Sequence, residues 1–224
     1  MNQQMWAHAA VQANLTTLRQ RGVHVLGPAS GEQACGDVGS GRMLEALELR
    51  DALVGSFGSG ALAGLKIMVS AGPTFEDIDP VRFIGNRSSG RMGFAVAQAA
   101  AQQGAEVTLV AGPVSLCTPP GVARRIDVRS AAQMHDAVLA GAKQADIYIA
   151  AAAVGDYRPS EVSPRKLKKQ AGADLSLQLR ENPDILAALS AQAAHPFLVG
   201  FAAETHDVAH YAQGKLKRKG LDMI

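Results

Sequence analysis

The sequence predicts an α/β protein whose larger part is a doubly wound, mostly parallel, Rossmann-like sheet. Three observations carry that expectation. Beyond residue 65, short apolar runs alternate with helical stretches: Lys66–Ser70, then Gly90–Gln102, then Glu106–Val110. The loops after these runs are rich in Gly, Ser and Pro, as in 71–89, where doubly wound folds place their ligands. The chain of 224 residues is 47% hydrophobic, ample for burying a core.

Residues 1–54 form a first unit. Val11, Leu15 and Leu18 fall at i, i+4 and i+7 and predict a helix over Trp6–Arg21. Val23–Leu26 reads as a short strand ended by Gly27-Pro28, and a Gly-rich stretch, Ala34–Met43, leads to a helix over Met43–Val54. Gly55–Gly64, GSFGSGALAG, is the best linker in the sequence. In the second unit, 65–224, further helices are expected at Ala131–Ala142, Pro183–Gln192 and Thr205–Lys219, and strands at Asp146–Ala150 and Pro196–Phe201. Pro183 is expected in the first helical turn, where a missing N–H costs little. Leu175, Leu177 and Leu179 alternate with polar residues and suggest an extra strand or hairpin arm. No internal repeat is found. The helical start after Met1-Asn2-Gln3-Gln4 and the barely begun strand Leu221–Ile224 make a piece of a longer chain the expectation.

Bulk properties narrow the function. A net charge of +2 creates no global field toward nucleic acid or membrane. Two cysteines, Cys35 and Cys117, make no disulfide framework, and no apolar run approaches 18 residues. A cytoplasmic protein is expected.

Chemistry concentrates in three places. The loop Ser70–Gly93 follows the first strand of the second unit; within it, Gly72 suits a tight turn, and Ser88-Ser89-Gly90 directly precedes a helix. Backbone N–H groups there, with the helix dipole, suit a phosphate. The plainer reading makes Ser89 an N-cap and Gly72 a turn residue. Next comes AAAVGDYRPSEVSPRKLKK, Ala151–Lys169: small residues at a strand end let a flat ring approach, and Asp156 stands at the mouth, suited to a sugar hydroxyl or a metal ion. Lys166, Lys168 and Lys169 crowd together there, either as a solvated charge run or around an anion. Lys215, Lys217, Arg218 and Lys219 form the third cluster, with Lys215 and Lys219 on one helix face. Together these suit a nucleoside triphosphate. GxGxxG and GxxxxGK[ST] are both absent.

GPTFEDIDPVRFIGNRSSGRMG, AAAVGDYRP, KLKK, NPDIL and GFAAET, in that order, closely resemble the phosphopantothenate–cysteine ligase family over Leu65–Ile224. MNQQMW and ACGDVGSGRMLE resemble the end of the flavin-dependent phosphopantothenoylcysteine decarboxylase, often fused ahead of it; the resemblance thus implies a partial α/β flavoprotein segment. It implies that CTP, with Mg2+, activates the carboxylate of 4'-phosphopantothenate as an acyl-cytidylate, which the amine of L-cysteine then attacks. Asn86 matches the asparagine that holds the acyl-cytidylate, Lys166 the essential lysine, and Asp156 a CTP-contacting aspartate. Ala150, Ala151, Ala152, Pro183, Asp184, Ile185, Leu186 and Phe201 match segments around the nucleotide, and Lys215 and Lys219 match lysines that reach it. Cys35 matches the decarboxylase's proton donor, and Asn2 an asparagine of its substrate and FMN region. The decarboxylase's flavin-binding strands and histidine have no counterpart here. The family is a homo-oligomer: a ligase dimer that assembles further through the decarboxylase.

Two alternatives stand beside this. An NAD(P)-binding oxidoreductase requires a glycine fingerprint and an acidic residue after the second strand, where Val110-Ala111-Gly112 offers none. A basic module for RNA or DNA would rest on the lysines, without interleaved aromatics.

Overall fold

A computed structural model describes residues 1–56, 60–168, 175–202 and 207–224. The chain forms two compact units, Met1–Gly58 and Ser59–Ile224.

In the first unit the expected single helix is two, α1 (Gln3–Ala7) and α2 (Ala9–Gln20). The break is at His8, whose extended backbone and ring nitrogen cap Ala10 N–H. Asn2 Oδ1 caps α1 at Met5 N–H, 2.9 Å, so helix starts before Trp6. Val23–Leu26 is not a strand; the ladder forms later, between β1 (Ala29–Glu32) and β2 (Val38–Arg42). Part of the Gly-rich stretch is therefore strand, because its glycines let the N-terminal residues lie against β2. A Cβ on Gly41 would stand 2.5 Å from Met1 O. Helix α3 (Ala46–Ser56) follows, three residues later than expected and running into the expected linker.

The second unit opens on a turn, 60–64, that docks through Leu62 N–H on Gln103 O at 3.0 Å. Its elements are β3 (Lys66–Ala71), β4 (Phe75–Asp77), β5 (Phe83–Gly85), α4 (Arg91–Gln102), β6 (Glu106–Ala111), β7 (Arg124–Asp127), α5 (Ala131–Ala142), β8 (Ile147–Ala150), β9 (Tyr157–Pro159), β10 (Leu179–Glu181), α6 (Ile185–Ser190), β11 (Phe197–Val199) and α7 (Val208–Lys219). A five-stranded parallel sheet has the order β11-β8-β3-β6-β7. The chain thus winds outward on one side of β3, then crosses back to β8 and winds outward on the other. Side chains alternate across the strands. Ile67, Val69, Val107 and Leu109 face α4 (Phe94, Ala97, Ala100). Met68, Val110, Tyr148 and Leu198 face α5, α6 and Leu221.

The other departures have local causes. Pro183 lies outside α6, because the Asp184 side chain caps the helix at Ala187 N–H. Of the three alternating leucines only Leu179 enters a strand, and all three are exposed. Met223 forms a parallel bridge with Val199. Thr205, the expected start of the last helix, lies outside the described residues, as do Lys169 and the middle of the expected linker.

Candidate active site

The winding reverses between β3 and β8, and a crevice at the carboxyl ends of such strands is where this architecture takes ligands. The two strands stay zipped beyond their ends. Ala151 N–H donates to Ser70 O at 3.0 Å, Ala153 N–H to Gly72 O at 2.9 Å, and Gly155 N–H to the buried Thr74 Oγ1 at 2.8 Å. Below them Ser70 and Tyr148 share a buried hydrogen bond of 2.9 Å, and burial pushes the Tyr148 phenol up, so it stays neutral.

Helix α4 begins directly over this seam. Its N-cap is Gly90 rather than Ser89, at φ 74°, with no side chain capping the first turn; instead Gly90 N–H donates to Ser88 Oγ at 3.2 Å. A Cβ on Gly93 would lie 2.5 Å from Ala71 Cβ and 3.3 Å from Ala151 Cβ, so only glycine lets the helix sit this close. Gly72 turns at φ 82° beside it, as the plainer reading held for that residue. The first-turn N–H groups of α4 are therefore presented, without a side-chain acceptor, at the head of the crevice.

Asn86 leaves the β4–β5 hairpin and reaches across to the β8 loop. Its Nδ2 donates to Val154 O at 3.0 Å and to Ala153 O at 3.5 Å. The hairpin is held by Phe75 stacked on Phe83, with Arg129 over both rings and bonded to Asp77 at 2.7 Å. That bond to Asp77 outweighs burial and raises the Arg129 pKa.

Across the crevice, Asn182 fastens the segment 182–186. Its N–H donates to Asp156 O at 2.7 Å, and its Nδ2 to Gly155 O at 2.8 Å. Ile185 and Leu186 are buried in the core beneath, while Asp184 binds Lys219 at 2.8 Å. Lys215 Nζ donates to Phe201 O at 2.5 Å. Both helix lysines are thus engaged with the segments they flank. Asp156 and Lys166 are exposed. Asn182, Thr74 and the buried Asp79 hold the site's backbone but were missed by sequence reading. The one signal for Asn182 was its place at the head of NPDIL.

No group of three or more His, Cys, Asp or Glu side chains among the described residues forms a metal cage. A groove of about 390 Å3, lined in part by Lys66, Glu106 and Arg124, lies at the opposite ends of the strands. In the first unit Cys35 sits on the β1–β2 turn as an exposed free thiol. Its Sγ is 3.5 Å from Asp37 Oδ2. Gln33 Oε1 links that turn to the N-terminal segment, accepting Gln3 N–H at 2.9 Å next to Asn2.

Comparison with known proteins places this architecture. Residues 62–224 match the model of the DNA/pantothenate metabolism flavoprotein C-terminal domain. The chain belongs to that family. Residues 1–58 match the Flavoprotein model. The chain is 54% identical over its whole length to the coenzyme A biosynthesis bifunctional protein CoaBC of Vibrio parahaemolyticus, and 54% identical to that of Escherichia coli. It spans 56% of the length of each. The crystal structure of a CoaBC C-terminal domain superimposes with a TM-score of 0.65 at 42% identity, covering 74% of this chain and 78% of that one. No helix among the described residues is long and apolar enough to cross a membrane.

Proposed function

We propose that residues 62–224 carry most of a ligase of coenzyme A synthesis that joins 4'-phosphopantothenate to L-cysteine at the expense of CTP. The observation that supports it best is the uncapped amino-terminus of α4, pressed by Gly93 onto Ala71 and Ala151 where β3 and β8 part. A bound triphosphate would supply the acceptors that this first turn lacks.

In this reading a carboxylate oxygen of 4'-phosphopantothenate attacks the α-phosphorus of CTP, and the bond to pyrophosphate breaks. The amine of cysteine then attacks the acyl carbon, the bond to CMP breaks, an amide forms and a proton is lost. Both steps gather negative charge, so preorganised donors dominate the rate. Lys166 supplies one cation; Lys215 and Lys219 supply two more once they leave Phe201 O and Asp184. Asn86 places a neutral amide beside the Ala151–Val154 loop, where it would hold the acyl-cytidylate without a charge that traps it. Asp156 belongs to no cage of three or more such side chains among the described residues, which suits a Mg2+ ion arriving on the triphosphate, whose role would be to lower the charge on the phosphates.

Residues 1–58 we read as the end of an FMN-dependent decarboxylase. The exposed Cys35 thiol fits the proton donor that the decarboxylase resemblance implies. Val38, Met43 and Leu47 are 70%, 77% and 64% exposed, which fits a segment whose apolar side chains pack on further protein.

The test is pyrophosphate release by the longer parent protein given Mg2+, 4'-phosphopantothenate and either CTP or ATP. Release with CTP, reduced on the order of a hundredfold in Lys166→Ala, is expected. A folded protein that releases none with either nucleotide overturns the assignment.

A further inference from the structure

We propose that Asp79 is a positioning residue for Lys166, fixing the lysine loop to the hairpin that also carries Asn86. The proposal rests on the ligase reading above. Asp79 is 1% exposed, in the turn between β4 and β5. Its Oδ1 accepts N–H bonds from Val81 and Arg82, each 2.8 Å, which any aspartate in a tight turn can do. Its Oδ2 does something a turn does not require: it accepts the N–H of Leu167, 88 positions away, at 3.1 Å. Arg82 completes the clamp, bonding Asp79 Oδ2 at 3.2 Å and donating to Leu167 O at 3.0 Å. Both backbone polar groups of Leu167 are thus held by one ion pair. A second tie, Ser163 N–H to Ile78 O at 2.9 Å, fastens the other side of Lys166 to the same turn.

Between these ties the chain has no helix or strand, and both Lys166 and Lys168 are exposed. Without the clamp nothing regular would fix where Lys166 starts. A buried carboxylate is poor value for stability alone, since an apolar residue fills the same space without desolvation. What it does supply is a fixed origin for a long, flexible cation, and electrostatic catalysis depends on such preorganisation. Burial acts to raise the Asp79 pKa, but the bonds from Val81, Leu167 and Arg82 outweigh it and hold it below the usual carboxylate range. It is ionised wherever the enzyme would work. Strand β5 then runs from this turn to Asn86, so one hairpin sets both groups.

The experiment compares the parent protein with Asp79→Asn, Asp79→Ala and Leu167→Pro; the last removes the N–H that reaches Asp79 but also restricts the backbone at 166 and 167, so Asp79→Ala carries the kinetic comparison. Thermal melts establish folding; limited trypsin digestion reads cleavage after Lys168; pyrophosphate release gives kcat and KM for CTP. Asp79→Ala and Leu167→Pro are expected to speed cleavage and to lower kcat about a hundredfold, with a smaller change in KM. Asp79→Asn, which keeps one acceptor oxygen, should fall between. Unchanged cleavage in folded Asp79→Ala or Leu167→Pro overturns the clamp. Faster cleavage with unchanged kcat overturns the positioning role. A parent protein that releases no pyrophosphate at all sinks the ligase reading and the catalytic half of the proposal with it, whereas the trypsin comparison still decides the clamp.

Discussion

Asp184 caps α6 with one oxygen and binds Lys219 with the other. Partial burial raises its pKa, but the Lys219 bond and the Ala187 and Leu186 N–H groups lower it further, so the folded value lies below the ordinary one. The sign of the linkage follows. With the unfolded value near about 3.9, the stabilisation is complete above that pH and fades as pH falls through the depressed folded value. Asp184 is 40% exposed, so the ion pair is worth only tenths of a kcal/mol to about 1 kcal/mol. Asp184→Asn retains a good cap and loses the pair; Asp184→Ala loses both and should cost about 1 kcal/mol more. Urea midpoints between pH 6 and 3 check this: both variants should show a shallower loss toward acid than the parent chain. A slope equal to the parent's contradicts the assignment. Under the proposed function the weakness of the pair would matter, since Lys219 would leave Asp184 for a phosphate at little cost.

At the scale of an element, α4 matters through its distance from the sheet. Gly93→Ala would place a methyl 2.5 Å from Ala71 Cβ, so the helix must lift its amino-terminus off the seam. About 1–3 kcal/mol of destabilisation is expected, as for overpacking generally, with a higher KM for CTP in the parent protein. A melt within a degree of the parent's would show that the helix has room to spare. The same element shows what the sequence could reveal. Glycines that do the work of a dinucleotide fingerprint, a tight turn at Gly72 and a close approach at Gly93, are spaced differently, so no motif flags them. Helix α5 was legible to the residue because its start is local: Ser130 and Gln133 form a capping box. The β4–β5 and β9–β10 pairs and edge strand β7 were not, being three or four residues long and defined by partners. Among the candidate site residues, Asn86 and Lys166 stood out through family motifs. The clamp that joins them did not, because it spans 88 positions.

For the whole molecule, burial predicts where stability lies. The first unit has only Leu15 as a buried apolar side chain among its described residues, and a two-stranded sheet alone is marginal in water. In the second unit β3 is paired on both sides and packed on both faces, with Val69 and Ala71 at 0% exposure. The outer strands are different: Phe197 on β11 is 45% exposed, and Arg124 opens β7 at the surface. Amide exchange tracks local opening, which ranges from almost nothing at frayed edges to the global unfolding free energy in the core. Exchange followed by mass spectrometry should therefore protect Ile67–Ala71 and Val107–Ala111 longest. The β9–β10 pair and β11 should come next, and the residues of α1, α2 and the β1–β2 hairpin should exchange first. Under the proposed function this order would have a meaning: the seam between β3 and β8 would form a rigid floor while Phe201 and the lysines change partners around a nucleotide. Protection of β9–β10 equal to that of β3 would mean that the crevice walls open only with the core, and that the lysines exchange partners without any local opening.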